Sequence, residues 1–170
     1  GAENNIHSMV AVILPLSGKD KLKGQAFLRG LSGMAVDYQY DLSTHFKIYD
    51  NKSNDITTLK ILKSINLDRN IISILGYLSE VSNIAAASYS SSIPILLSKS
   101  NYSELPMISD NIYLLSTSSE AQAKLSAQYV VNMLGFKNIA VLAPADDINK
   151  NYADNFILEL NQLGIDPVVT

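Results

Sequence analysis

Met9-Val-Ala-Val-Ile-Leu-Pro-Leu-Ser-Gly18 is the stretch from which the rest of the chain can be read. Val10 to Leu14 is an unbroken apolar run, β-branched at Val10, Val12 and Ile13. A run so short, without polar alternation, fits a strand buried on both faces. Pro15 ends it, and Ser17-Gly18 turns the chain into a helical pattern. Strand, turn and helix in that order open an α/β sheet, in which ligands sit outside the carboxyl ends of the strands. Ser17 and Gly18 are therefore expected at the working edge.

Downstream the same unit repeats. Lys21 to Tyr38 carries Phe27, Leu31, Met34, Ala35 and Tyr38 at helical spacing, and this stripe is expected to lie on the sheet. Each large side chain so buried contributes about 1.5–3 kcal/mol. Gly24, Gly30 and Gly33 each weaken that helix by about 1 kcal/mol relative to Ala, and close helix–strand approach is the compensation expected. Strands are expected at 46–49, 71–75, 94–97, 112–115, 139–142 and 167–169. Helices are expected at 56–66, 81–90, 119–134 and 152–163. Alternation at this spacing predicts an α/β fold: an open parallel sheet with helices on both faces and right-handed crossovers. Residues 1–8 are polar and expected to fray, or to be the remnant of a tag. The final strand reaches Thr170 with nothing after it to cover the sheet, which is the pattern expected of a truncated chain.

Composition removes several function classes. A net charge of −3 and a pI near 5.3 give no electrostatic basis for a nucleic-acid partner. Cysteine is absent, so disulfides, thiolate metal sites and cysteine nucleophiles are excluded. His7 and His45 lack metal-ligand spacing, and no metal or cofactor is expected. No Gly-x-Ser-x-Gly elbow occurs. Gly18-Lys19 lacks the upstream glycine of a phosphate-binding loop, and Asp20 stands where Ser or Thr would bind magnesium. Asp50 ends the second strand and Asp146-Asp147 follow the sixth, as a phosphoacceptor site would require, but the exit of the first strand brings no acid. Two Asn-x-Ser triplets, at Asn51 and Asn101, are the length of pattern that chance produces.

The expected strand ends carry Ser17 and Gly18; Asp50 and Asn51; Tyr77, Leu78 and Ser79; then Ser98, Ser100, Asn101 and Tyr102. This edge is rich in hydroxyls, amides and rings and poor in nucleophile–base pairs. Such a set hydrogen-bonds a small polar ligand without reacting with it. Turn formation is the competing explanation for any single Ser or Asn.

The pieces Val10 to Gly18, Gly24-Gln-Ala26 with Arg29-Gly30, Tyr49-Asp-Asn51, Ile74-Leu-Gly76 with Leu78-Ser79, Ile93-Pro-Ile95 with Ser98, Glu104-Leu105, Tyr113 to Thr117, and Ile139 to Asp147 with Ala153-Asp154 and Phe156 belong together. In order and spacing they resemble the type I periplasmic binding proteins, the branched-chain amino-acid-binding group and its receptor-like relatives. The resemblance implies two α/β lobes that close on a ligand, with residues 9–117 as the first and 118–170 as the opening of the second. It implies no enzyme but a solute-binding or ligand-sensing protein, periplasmic or extracellular, with membrane anchoring as a lipoprotein in the full-length form. Its partners would be a small polar, amino-acid-like ligand and the membrane components of an ABC transporter, and a truncated chain would be open to pairing with a second copy. Carried over from amino-acid binders, the positions that hold the ligand's carboxylate and ammonium are Leu78, Ser79 and Glu80, and Ser98, Ser100 and Asn101. The Tyr-Gly pair that closes over the ligand in those proteins is replaced by Ile148-Asn149. The usual Ser-Pro-Ala reads Ser98-Lys99-Ser100, and Glu80 puts an acid where a small hydroxyl residue is common. Pro15 to Lys19 and Phe46 to Asn51 also resemble the related domain of penicillin-binding-protein activators, which implies the alternative of a non-catalytic cell-envelope interaction module.

Overall fold

The structure, a computed structural model, describes residues 8–89, 92–144 and 147–169, and the side chains of all these except 147–149 and 169. The chain divides into two compact units: Gly1–Lys99 with Glu104–Leu115, and Ser100–Ser103 with Ser116–Thr170.

In the first unit, β1 (Met9–Leu14) leads into α1 (Lys21–Asp37), α2 (Leu42–His45) and β2 (Phe46–Asp50). Then follow α3 (Asp55–Ile65), β3 (Ile71–Gly76), α4 (Glu80–Ser88), β4 (Ile95–Leu97), α5 (Leu105–Ile108) and β5 (Ile112–Leu114). The five strands form one parallel sheet in the order β2-β1-β3-β4-β5. The order reverses beside β1, so right-handed crossovers put α1 on one face and α3 and α4 on the other. β1 is an interior strand, held between β2 and β3, and Ala11 to Leu14 are fully buried as a two-faced strand must be. Ala11 and Ile13 join Ile74, Ile95 and Ile112 in the main core, beneath Leu62 and Ile65 of α3 and Ala86 and Ala87 of α4.

The helices start where the sequence offers caps. Asn54 Oδ1 accepts the Thr57 N–H at 2.9 Å ahead of α3, and Ser79 Oγ accepts the Ser82 N–H at 3.1 Å ahead of α4. The stripe expected on α1 is only partly correct. Ala35 is buried and Phe27, Leu31 and Met34 are half-buried, but Tyr38 is 70% exposed. The helix has ended by then, and Tyr38 stacks instead on Tyr40 with ring centroids 6.5 Å apart. The three α1 glycines also differ. A Cβ on Gly24 would stand 2.2 Å from the Pro15 carbonyl oxygen, whereas Gly30 and Gly33 meet nothing within 4 Å. Close approach therefore accounts for Gly24 alone.

In the second unit, α6 (Ser119–Gln128) runs into a π-helical turn (Tyr129–Met133), followed by β6 (Ala140–Val141), α7 (Asp147–Gln162) and β7 (Val168–Val169). β6 and β7 pair in parallel. Ser118 caps α6, its Oγ accepting the Ala121 N–H at 3.1 Å. The single helix expected over 119–134 changes winding at Tyr129, where Leu134 N–H reaches back to Tyr129 O. Gly135, at φ +71°, then turns the chain away. α7 begins five residues before the expected Tyr152, counting from Asp147. Small residues let α6 and α7 pack closely: Ala123 and Ala127 are fully buried, as is Leu160. Gln128 Nε2 donates to Glu159 Oε1 at 2.7 Å, and the hydroxyls of Ser126 and Tyr152 lie 2.8 Å apart. No helix among the described residues is long and apolar enough to cross a membrane.

Candidate functional site

The carboxyl edge of the first unit's sheet is built from the exits of β1, β2, β3 and β4. At the first of these, Asp50 accepts the N–H groups of Leu16 at 2.9 Å, Ser17 at 3.2 Å and Lys52 at 2.8 Å, and the Ser17 hydroxyl at 2.7 Å. Burial pushes the Asp50 carboxyl up, but the donors from Ser17, Lys52 and Leu16 outweigh it and hold the group below the usual carboxylate range. These four bonds make Asp50 a staple between strand ends, which leaves little of it for phosphoacceptor chemistry. Gly18 packs against β2's exit: at φ +81°, it would place a Cβ 2.6 Å from the Lys52 carbonyl oxygen. Ser53 Oγ completes the closure, donating to Ser17 O at 2.8 Å and accepting Asp20 N–H at 3.1 Å. Asn51 is buried, its Nδ2 donating to Thr58 Oγ1 at 3.1 Å.

At the exit of β3, Tyr77 is half-buried and its ring lies 6.4 Å from that of Phe27. The Leu78 side chain belongs to the core, so only its backbone is available to a ligand. Ser79 is exposed, and both Ser79 Oγ and Ser82 Oγ donate to Asp55 Oδ1, the latter at 2.6 Å. Those hydroxyls hold the Asp55 carboxyl below its ordinary range, with a smaller contribution from the Lys19 cation. Glu80 follows as the first residue of α4, half-buried and placed to favour the positive end of the helix.

Ser98 leaves β4 with its N–H on the Gly76 carbonyl at 2.9 Å. Its hydroxyl is buried and has no hydrogen-bond partner among the described residues. Asn83 of α4 is fully buried; Nδ2 donates to Lys99 O at 3.0 Å while Oδ1 has no partner among the described residues. Ser17, Gly18, Tyr77, Ser79, Glu80 and Ser98 thus share one edge of the first unit. Asp55 and Asn83 were missed in the sequence, where Asp55 reads as the last residue of a polar loop and Asn83 as an ordinary helix residue.

Ser100 and Asn101 belong to the second unit. Ser100 is buried, and its Oγ accepts Tyr102 N–H at 3.0 Å. Asn101 Oδ1 accepts the Ser119 hydroxyl at 3.2 Å, and Ser103 Oγ donates to Glu120 Oε2 at 3.0 Å. The Glu120 carboxyl is held low by Lys124, 2.8 Å away, and by Ser103. A cavity of about 290 Å³ lies at the carboxyl end of β6, walled by Leu142, Pro144, Tyr152, Ala153 and Phe156. The backbone of Ile148 is in the first turn of α7; its side chain, with that of Asn149, lies outside the described residues, as does Asp146. No cluster of His, Asp or Glu that could hold a metal ion occurs among the described residues.

No protein-family model and no curated protein matches the chain. Solved structures do. A leucine-binding protein from Thermotoga maritima superposes with a TM-score of 0.68 at 16% identity, over 96% of this chain and 48% of its own. A solute-binding protein of an ABC transporter from Rhodopseudomonas palustris, in complex with 3,4-dihydroxybenzoic acid, gives 0.76 at 14% identity, over 97% and 47%. A substrate-binding protein of an ABC transporter from Desulfitobacterium hafniense, in complex with Leu, gives 0.70 at 17% identity, over 95% and 49%. The chain spans about half the length of these structures. Strand order, crossovers and superposition agree that it has the fold of the type I periplasmic binding proteins.

Proposed function

We propose that the chain is the ligand-binding part of an extracytoplasmic solute-binding or ligand-sensing protein, without catalytic activity, that takes a small polar ligand at the carboxyl edge of its first unit. In this reading residues 9–117 form the first lobe and 118–170 begin the second. The observation that carries it is the concentration of Ser17, Tyr77, Ser79, Glu80 and Ser98 on one strand-end edge beside the start of α4. An open parallel sheet places its ligands there. The edge supplies hydroxyl, carboxylate, ring and helix-start N–H groups, the means to hold a small polar molecule. The neighbours' named ligands, leucine and a dihydroxybenzoate, are small polar molecules of the same order of size.

A second reading, a cell-envelope interaction module that has no small ligand, is favoured by the fate of two hydroxyls. Ser17 and Ser79 are both spent inside the fold, on Asp50 and Asp55. Native mass spectrometry beside a denatured control separates the two. An added small-molecule mass lost on denaturation supports solute binding. Capture of an envelope protein by a chain that no small molecule stabilises supports the interaction module.

A further inference from the structure

Resting on the solute-binding reading, we propose that the start of α4 receives the ammonium group of a small organic cation and disfavours a carboxylate, with Asp55 as the residue that sets this preference.

A helix start ordinarily welcomes an anion, because its first N–H groups lack partners and its dipole is positive there. In this chain that place is already supplied with negative charge. The Ser79 and Ser82 hydroxyls both donate to Asp55 Oδ1, so the hydroxyls that would greet a carboxylate are turned toward one the protein carries itself. The Ser82 N–H is taken by Ser79 Oγ. Glu80 adds a second carboxylate at the first helical position, and the Lys19 cation is the smallest of the influences on Asp55. A ligand carboxylate brought here meets like charge, whereas an ammonium meets opposite charge.

An independent observation asks for the same chemistry. Asn83, one residue beyond Ser82, is fully buried and uses its amide N–H on the Lys99 carbonyl. Among the described residues that orientation leaves Oδ1, an acceptor, without a donor, and the buried Ser98 hydroxyl at the exit of β4 also lacks a partner. A buried acceptor without a donor is rare in folded proteins and calls for an explanation. An N–H group of the ligand, or a water that the ligand's ammonium orders, supplies the missing donor; a carboxylate has none to give. Asp55, the first residue of α3, reaches the start of α4 through the Ser79 and Ser82 hydroxyls, and Asn83 follows Ser82 in that helix.

The test uses the 170-residue chain and three probes: 1,4-diaminobutane, which is cationic only; 4-methylpentanoate, which is anionic only; and L-leucine, which has both groups. Titration calorimetry is expected to show 1,4-diaminobutane binding at least tenfold tighter than 4-methylpentanoate. Asp55→Asn keeps an oxygen for Ser79 and Ser82 but removes the charge, and is expected to weaken 1,4-diaminobutane tenfold or more. The wild-type ratio of the two simple probes stands by itself if that variant does not fold. Equal or tighter binding of 4-methylpentanoate overturns the cation preference, as does binding of L-leucine without any binding of 1,4-diaminobutane; in both cases solute binding itself survives. If none of the three binds, the solute-binding reading falls and takes this inference with it.

Discussion

Ser17 and Asp50 are joined twice, side chain to side chain at 2.7 Å and backbone N–H to carboxylate at 3.2 Å, and so tie the exits of β1 and β2 into one edge. Asp50→Ala leaves the Leu16, Ser17 and Lys52 N–H groups without their acceptor. The expected cost is about 1–3 kcal/mol, read as a lower denaturation midpoint in urea. A variant as stable as the parent would show that the staple is dispensable.

Asp50 also predicts a pH dependence. Its folded pKa is depressed, so its contribution is present above the unfolded value, about 3.9, and is lost as pH falls through the folded pKa. Asp55 is depressed likewise. Thermal midpoints are expected to drop as pH goes from about 5 toward 2. Asp50→Asn should flatten that slope, and an unchanged slope would count against the assignment.

The glycines of α1 should separate by sign. Gly24→Ala forces a methyl against the Pro15 carbonyl and destabilises. Gly30→Ala and Gly33→Ala face open space in a helix interior and are expected to stabilise by about 0.5–1 kcal/mol each. Parallel melting curves of the three variants decide this, and the same sign for all three would refute it.

Thr58→Val keeps the shape of a fully buried side chain but deprives Asn51 Nδ2 of its acceptor. A loss of about 1–3 kcal/mol is expected. Thr58→Ser, which retains the hydroxyl, should recover part of it in the same chemical denaturation experiment.

In the second unit, Glu159→Ala strands the Gln128 amide against α7 and is expected to cost about 1–3 kcal/mol. Glu159→Gln preserves an acceptor and should cost less. Calorimetry resolves whether the loss falls on one transition, as a defect confined to the α6–α7 pair requires.

The sheet was legible because β1, β3 and β4 are short, largely apolar runs that end at Pro15, Gly76 and Ser98. Two four-residue helices, α2 and α5, were not, since one turn carries no periodicity. The candidate edge was legible as a set of positions and less so as chemistry. Ser17 and Ser79 were expected to face a ligand, yet their acceptors lie 33 and 24 residues away in sequence, on crossovers whose return no local pattern reports. Leu78 was expected at the edge and is there, with its side chain turned into the core. Asp55 follows the cap Asn54 and so has the signature of a first-turn acid that serves only its own helix.

Asp55 in fact serves two helices. It is the first residue of α3, and it holds the hydroxyls of the cap and the third residue of α4. Here a single oxygen fastens both, so the opening of one first turn exposes the other. Amide protection should accordingly rise and fall together over residues 55–58 and 80–83, as one cooperative unit of local unfolding and not two.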